Sequence, residues 1–250
     1  MSEAGDNLTD LAASAGSLRP LAGRVLIRAA AIADGKGTFA APGAVVLAGR
    51  HILAAGPPQS IADALDAQVV DRPDATVIPA LVNAHSHLDL THMGPAAYDG
   101  DFAAWADMVR RNRRSEDVAI RESVQRGVEL SLAGGTVVIG DIAGEWSNAP
   151  AEVLRESPLA GTSFIEVFGL GRRQQQTIDT IQHLLAEYAQ DHQGVALGVQ
   201  PHALYSCGVD VYNAALSAGC PFATHLAETL EEIQFVERGD GPLRDFLLNI

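Results

Sequence analysis

The chain has 250 residues, 47% of them hydrophobic, enough to bury a sizeable core as one large domain or two smaller ones. A formal charge of -14 leaves no basic surface able to release counterions from a polyanion, so nucleic acid is excluded as a partner. Two cysteines, Cys207 and Cys220, give no disulfide framework and suit a reducing compartment. No apolar run approaches the ~18 residues of a membrane span, and Met1 to Ala15 carries no charged-then-apolar leader. The expectation is therefore a cytoplasmic chain with no membrane partner.

Residues 1–19 are rich in Ser, Ala, Asp and Gly and read as a disordered arm. From residue 20 to 75 come short β-like runs, 24–28, 44–47 and 51–54, punctuated by Gly43, Gly49 and Gly56 as hairpins are. They predict a small β-sandwich-like module. His51 falls within one of its strands and reads as structural.

The stretch Val77 to Leu90 reads as a buried strand over 77–82 running into a polar break that carries His85 and His87. In extended chain, residues two apart face the same side, so these two imidazoles aim at one point. Neutral imidazole is the commonest metal ligand. Next, 102–114 reads as a helix whose last turn is crowded by Arg110, Arg111, Arg113 and Arg114, where cations complement the helix dipole. An anion-binding role for them is the alternative. Ser115 is expected to cap a second helix that buries Ile120, Val124, Val128 and Leu132 and ends at Gly134-Gly135.

Strands follow at 136–141, 163–168, 195–200 and 221–224, separated by helices at 149–156, 174–190 and 209–218. His183 and His192 fall on solvated ground, and His92 is left without a role. Thr229 and Glu232 have the spacing of a capping box that opens the next helix. Alternating strands and helices imply a parallel sheet covered on both faces. The strands at 77–82, 195–200 and 221–224 each run into a histidine, His85, His202 and His225, at the end where parallel strands gather their site residues. Glu228, three positions after His225, is placed to shuttle a proton next to a metal-bound water.

Taken together, the His-x-His after the 77–82 strand, the Pro201-His202 strand end with Tyr205, and His225-Leu226-Ala227-Glu228-Thr229 resemble the amidohydrolase superfamily. Within it they are similar to the metal-dependent aminohydrolases: the cytosine, guanine and adenosine-type deaminases and the triazine chlorohydrolases. His87-Leu88-Asp89-Leu90-Thr91 with Gly100-Asp101-Phe102-Ala103-Ala104-Trp105 is similar to aminodeoxyfutalosine deaminases and their relatives. The resemblance runs from about residue 21 to the end of the chain.

It implies an α/β fold in which 76–250 forms about five βα units of an incomplete (β/α)8 TIM-type barrel, preceded by the β module. The chain then looks truncated before the sixth barrel strand. It also implies His85, His87 and His225 as ligands of one divalent ion, Zn2+ or Fe2+, Glu228 as the catalytic acid/base, and His202 as a substrate contact. Leu204 and Ser206-Cys207 depart from the family's pattern around His202. Asp89, Asp141, Glu166 and Trp105 are candidates to touch substrate. The implied reaction is hydrolytic deamination of a small amino-substituted heterocycle or nucleoside by a metal-activated water. An inactive remnant with a weak or absent metal site, or a chlorohydrolase or cyclic-amide hydrolase of the same superfamily, is the alternative. A homo-oligomer remains open.

Overall fold

The structure, a computed structural model, describes residues 23–61, 66–144, 147–188 and 194–249. The arm at 1–19 and His192 lie outside these residues. The chain divides into two compact units that meet between Leu81 and Val82.

The first unit is one mixed sheet. Strand β1 (Arg24–Ala33) pairs antiparallel with β2 (Phe39–Ala40) and β3 (Gly43–Ala48), and β3 pairs with β4 (His51–Gly56). Strand β5 (Gln68–Val77) pairs parallel with β1, Val25 opposite Gln68 and Ile32 opposite Val77. The expected sandwich-like module is therefore a single five-stranded sheet among the described residues. The parallel pairing explains the correction, because β5 widens the sheet instead of stacking a second layer on it. Leu26, Ala44 and Val46 form one small core, and Ile32, Ala40 and Val45 another. His51 is exposed on β4.

The second unit carries a four-stranded sheet in the order β6 (Leu81–Ser86), β7 (Thr136–Ala143), β8 (Ala160–Val167), β9 (Val195–Pro201). Strands β7, β8 and β9 run parallel, with Asp141 opposite Ser163 and Glu166 opposite Gln200. The helices are α1 (Phe102–Asn112), α2 (Asp117–Ala133), α3 (Ala149–Glu156), α4 (Gln174–Tyr188), α5 (Val209–Ser217), α6 (Leu230–Arg238) and α7 (Pro242–Leu248). Ile120, Val124 and Val128 of α2 pack with Ile139 of β7 and Leu154 of α3. Ile181 and Leu184 of α4, with Val211 and Ala215 of α5, cover Ile165, Val167 and Val199. No helix of the described residues is long and apolar enough to cross a membrane.

Four expectations are corrected. The first strand starts at Leu81 rather than 77, since Pro79 has no N–H to give a ladder. That strand is also exposed rather than buried, Val82 at 67%, because it forms one edge of the sheet. The fifth strand, 221–224, is reduced to two isolated parallel bridges, Val199 to Phe222 and Ala203 to His225; Pro221 again lacks a donor. Its Ala223 and His225 N–H groups still donate to the carbonyls of Val199 (3.2 Å) and His202 (2.8 Å). Ser115 caps nothing: Glu116 holds the N-cap of α2 without a side-chain bond, and Asp117 in the first turn pairs with Arg121 at 2.9 Å.

Helix α2 lies against a 3-10 turn, Leu88–Met93, that follows His87. A Cβ on Gly127 would come within 2.6 Å of Thr91 Oγ1 and 2.8 Å of Leu88 Cδ2. Leu88 is only 4% exposed, so it has no room to yield. In an open helix Gly→Ala stabilises by about 1 kcal/mol. Here overpacking reverses the sign, and Gly127→Ala is expected to lower unfolding stability by roughly 1–3 kcal/mol in a urea titration.

Candidate metal centre

Three chain segments bring histidines together in the second unit. His85 sits in β6, His87 one residue past its end, and His225 on the bridged segment after Pro221. Ring centroids are 5.2 Å apart for His85 and His87, 5.1 Å for His85 and His225, and 5.5 Å for His87 and His225. One ring nitrogen from each lies within 4.8 Å of the other two. His202, at the end of β9, stands 5.1 Å from His225. The expected site residues thus share one locality.

Glu228 comes next to them. Its Oε1 is 3.7 Å from His225 Nδ1. Between the two, Ala227 adopts a left-handed φ of 54°, an unfavourable conformation for a residue with a Cβ, which turns the chain back toward the histidines. Glu232 braces this turn: its buried carboxylate accepts the Glu228 N–H at 2.8 Å, and its own N–H donates to Thr229 Oγ1 at 3.2 Å. The capping box is therefore only half formed, the carboxylate reaching one residue beyond Thr229.

Glu166, at the end of β8, is 1% exposed and faces the same locality. Its Oε1 is 3.5 Å from His225 Nε2 and 3.9 Å from His202 Nε2. Arg113 donates to its Oε2 at 2.9 Å and to Asp89 Oδ2, also at 2.9 Å. The sequence reading took Arg113 as one of four cations on a helix terminus. The structure separates it from the others: Arg110 and Arg111 pair with Asp107, whereas Arg113, at the C-cap of α1 with ψ of 131°, leaves the helix and turns inward. Four arginines within five positions were the available signal. Which of them enters the site depends on where the helix stops.

The remaining candidates separate as well. Asp141 is fully buried and accepts the Leu88 N–H at 2.9 Å, tying β7 to the turn after His87. Asp89 belongs to the Arg113 clamp. Trp105 stacks on Phe102 at 6.0 Å and lines a cavity of about 930 Å3 together with Glu166, Phe168, His202, His225 and Glu228, a size suited to a small organic ligand. His92 is structural: its ring nitrogens face the carbonyls of Asp89 and Asn112, each at 3.0 Å. His183 is exposed on α4.

Burial and charge tune these groups. Burial pushes His87 down to about 3 and His202 to about 4, and lowers His85 too, so these rings are neutral and carry the lone pairs a metal requires. Burial opposes a charged His225, but Glu166 and Glu228 on either side prevail and raise it. Burial would also raise Glu166, yet His225, His202 and Arg113 outweigh it and hold the carboxyl at about 2. Burial raises Glu228, which favours a carboxyl that can both take and return a proton, and it lifts Asp141 to about 7.

The donor set fits a divalent ion. Three imidazoles suit zinc or iron, and His87 Nδ1 is buried with no hydrogen-bond partner.

The amidohydrolase family model matches residues 76–243. The chain belongs to the amidohydrolase family. It is 28% identical over 221 residues to the aminodeoxyfutalosine deaminase of Deinococcus radiodurans, covering 84% of this chain and 51% of that protein. The crystal structure of Helicobacter pylori aminofutalosine deaminase in complex with methylthio-coformycin superposes with a TM-score of 0.73 at 22% identity, over 89% of this chain and 55% of the other. That of a zinc-bound adenosine deaminase from Xanthomonas campestris gives 0.69 at 20% identity, over 92% and 56%. At these identities the superpositions show a shared fold. The chain spans about half the length of the curated relatives it matches.

Two outcomes test this electrostatic picture. Arg113→Met leaves Glu166 and Asp89 buried without their cation and is expected to cost about 3 kcal/mol, read as a lower urea midpoint. For the metal-free protein, His87 and His202 stay neutral when folded but bind protons when unfolded below about 6.5. Stability is therefore full above that pH and falls as pH drops from about 6.5 toward 4. A urea midpoint lower at pH 5 than at pH 7, with a shallower decline in His202→Gln, is the expected result.

Proposed function

We propose that the chain carries the site of a metal-dependent hydrolase acting on carbon–nitrogen bonds other than peptide bonds. The reaction is hydrolytic deamination of an amino-substituted heterocycle or nucleoside. The observation that carries this reading is the meeting of His85, His87 and His225, with Glu228 Oε1 3.7 Å from His225. The names of the relatives support it, since they are deaminases of adenosine-like compounds. We read residues 76–250 as five βα units of a (β/α)8 barrel and the preceding strands as a separate small β module.

His85, His87 and His225 would hold one divalent ion, zinc by preference given the zinc-bound neighbour, or iron. Such an ion lowers the pKa of its bound water toward ~7 and makes it a nucleophile at neutral pH. Glu228 accepts the proton of the attacking water and hands it to a ring nitrogen of the substrate. The added hydroxyl would then give up its own proton, which Glu228 would carry to the amino group. C=O forms as the C–N bond breaks, and ammonia departs. His202, held by its neighbours at the cavity wall, orients the ring. Trp105 and Phe168 offer it apolar faces.

Titration with Co2+ as an optical probe tests the reading without needing turnover. The protein is expected to take up one equivalent. His225→Ala should weaken binding by more than about 100-fold, beyond the 10–100-fold loss of an outer partner, while Glu228→Gln keeps the metal. The metal-loaded protein should bind a coformycin-type nucleoside analogue that the metal-free protein does not. Equal Co2+ affinity in the wild type and His225→Ala would overturn the assignment.

A further inference from the structure

Metal-bound histidines are generally oriented by a hydrogen bond to the ring nitrogen that does not meet the ion. His225 stands between two carboxylates, with Glu166 Oε1 3.5 Å from Nε2 and Glu228 Oε1 3.7 Å from Nδ1. His87 lacks such support, since its Nδ1 is buried without a partner. The direction of its ring is left to the backbone that bears it.

The peptide bond between His87 and Leu88 is held at both poles. Its carbonyl, on His87, accepts the Leu90 N–H at 3.1 Å, and its N–H, on Leu88, donates to Asp141 Oδ1 at 2.9 Å. Rotation about ψ of His87, which stands at 86°, would break both bonds together. The first bond is local to the turn, whereas the second reaches 53 residues along the chain to β7.

Asp141 is itself fixed in place. It is fully buried and pairs with Ser163 of β8. Just before it, a Cβ on Gly140 would collide with the Ala84 carbonyl oxygen, so β6 and β7 touch one residue ahead of both His85 and Asp141. A carboxyl group accepts whether ionised or protonated, so the bond does not depend on the charge of Asp141. Ser123 Oγ holds the same turn one residue further on, donating to the Asp89 carbonyl at 2.8 Å. The turn therefore keeps its attachment to α2 without Asp141, and what Asp141 alone holds is the peptide next to His87.

We propose that Asp141 is a positioning residue for the metal centre: by accepting the Leu88 N–H it sets the direction in which His87 presents its imidazole to the ion. The inference rests on His85, His87 and His225 being ligands of one ion, and it adds a residue of β7 on which their geometry depends. Loss of the bond leaves all three histidines in the chain, so its cost is that of an outer partner rather than of a ligand.

Co2+ binding to the full chain, read as affinity and as visible absorption bands, tests the role. Asp141→Leu keeps the size of the side chain and removes the acceptor, and is expected to weaken Co2+ binding by about 10–100-fold with altered bands. Asp141→Asn keeps an acceptor in the same place and should retain wild-type affinity and bands. Ile181→Ala, which opens a cavity under α4, should lower the urea midpoint and leave both Co2+ readouts unmoved. That contrast separates positioning from a general loss of stability. In the wild type the Leu88 amide should resist hydrogen exchange, and a freely exchanging one overturns the proposal without any variant. Wild-type affinity and bands in folded Asp141→Leu overturn it as well. A wild type that binds no Co2+ defeats the metal reading itself, whereas tight wild-type binding with an indifferent Asp141→Leu defeats only the role of Asp141.

Discussion

The site depends on one electrostatic constraint: four imidazoles and several carboxylates share a mostly buried region, and each must be kept in a single charge state. Burial alone would neutralise every one of them. The rings of His85, His87 and His202 comply, and their lone pairs are kept. Glu166 does not, because His225, His202 and the guanidinium of Arg113 at 2.9 Å together hold it charged. The buried carboxylate therefore stays an anion beside His202 and His225. Asp89 completes the arrangement by holding the other side of Arg113 at 2.9 Å. The clamp joins the turn after β6, the end of α1 and the tip of β8.

Much of this was legible in the sequence because it follows from local rules. His85 and His87 face one way because they are two apart in extended chain. His202 and His225 could be placed because each follows an apolar run, and such runs in βα order end on one side of a sheet. What local rules could not supply was the outcome of competition between segments. The strand predicted from 77 begins at Leu81, since the residues up to Val77 pair instead with β1 in the other unit. The 221–224 segment has the composition of a strand, but with Pro221 at its head it forms only bridges. Arg113 looked like its three neighbours until the helix was seen to end at Asn112. Glu166 looked like a strand-end carboxylate, and its importance comes from partners 53 residues before it and 36 and 59 after it in the chain.

Membership of the amidohydrolase family and shared topology with deaminases and a triazine hydrolase leave the chemistry to the side chains. The same strand ends could serve several leaving groups. The proposed proton carrier narrows the choice. Under the proposed reading, Glu228, its carboxyl raised by burial, would take and return the proton. Glu232 and the left-handed Ala227 keep that carboxyl beside His225.

X-ray absorption at the zinc edge of the zinc-loaded protein bears most directly on the central claim. The account predicts three imidazole nitrogens around a single ion, with one of them lost in each of His85→Ala, His87→Ala and His225→Ala. A coordination shell without imidazole, or one that survives all three substitutions unchanged, would contradict it.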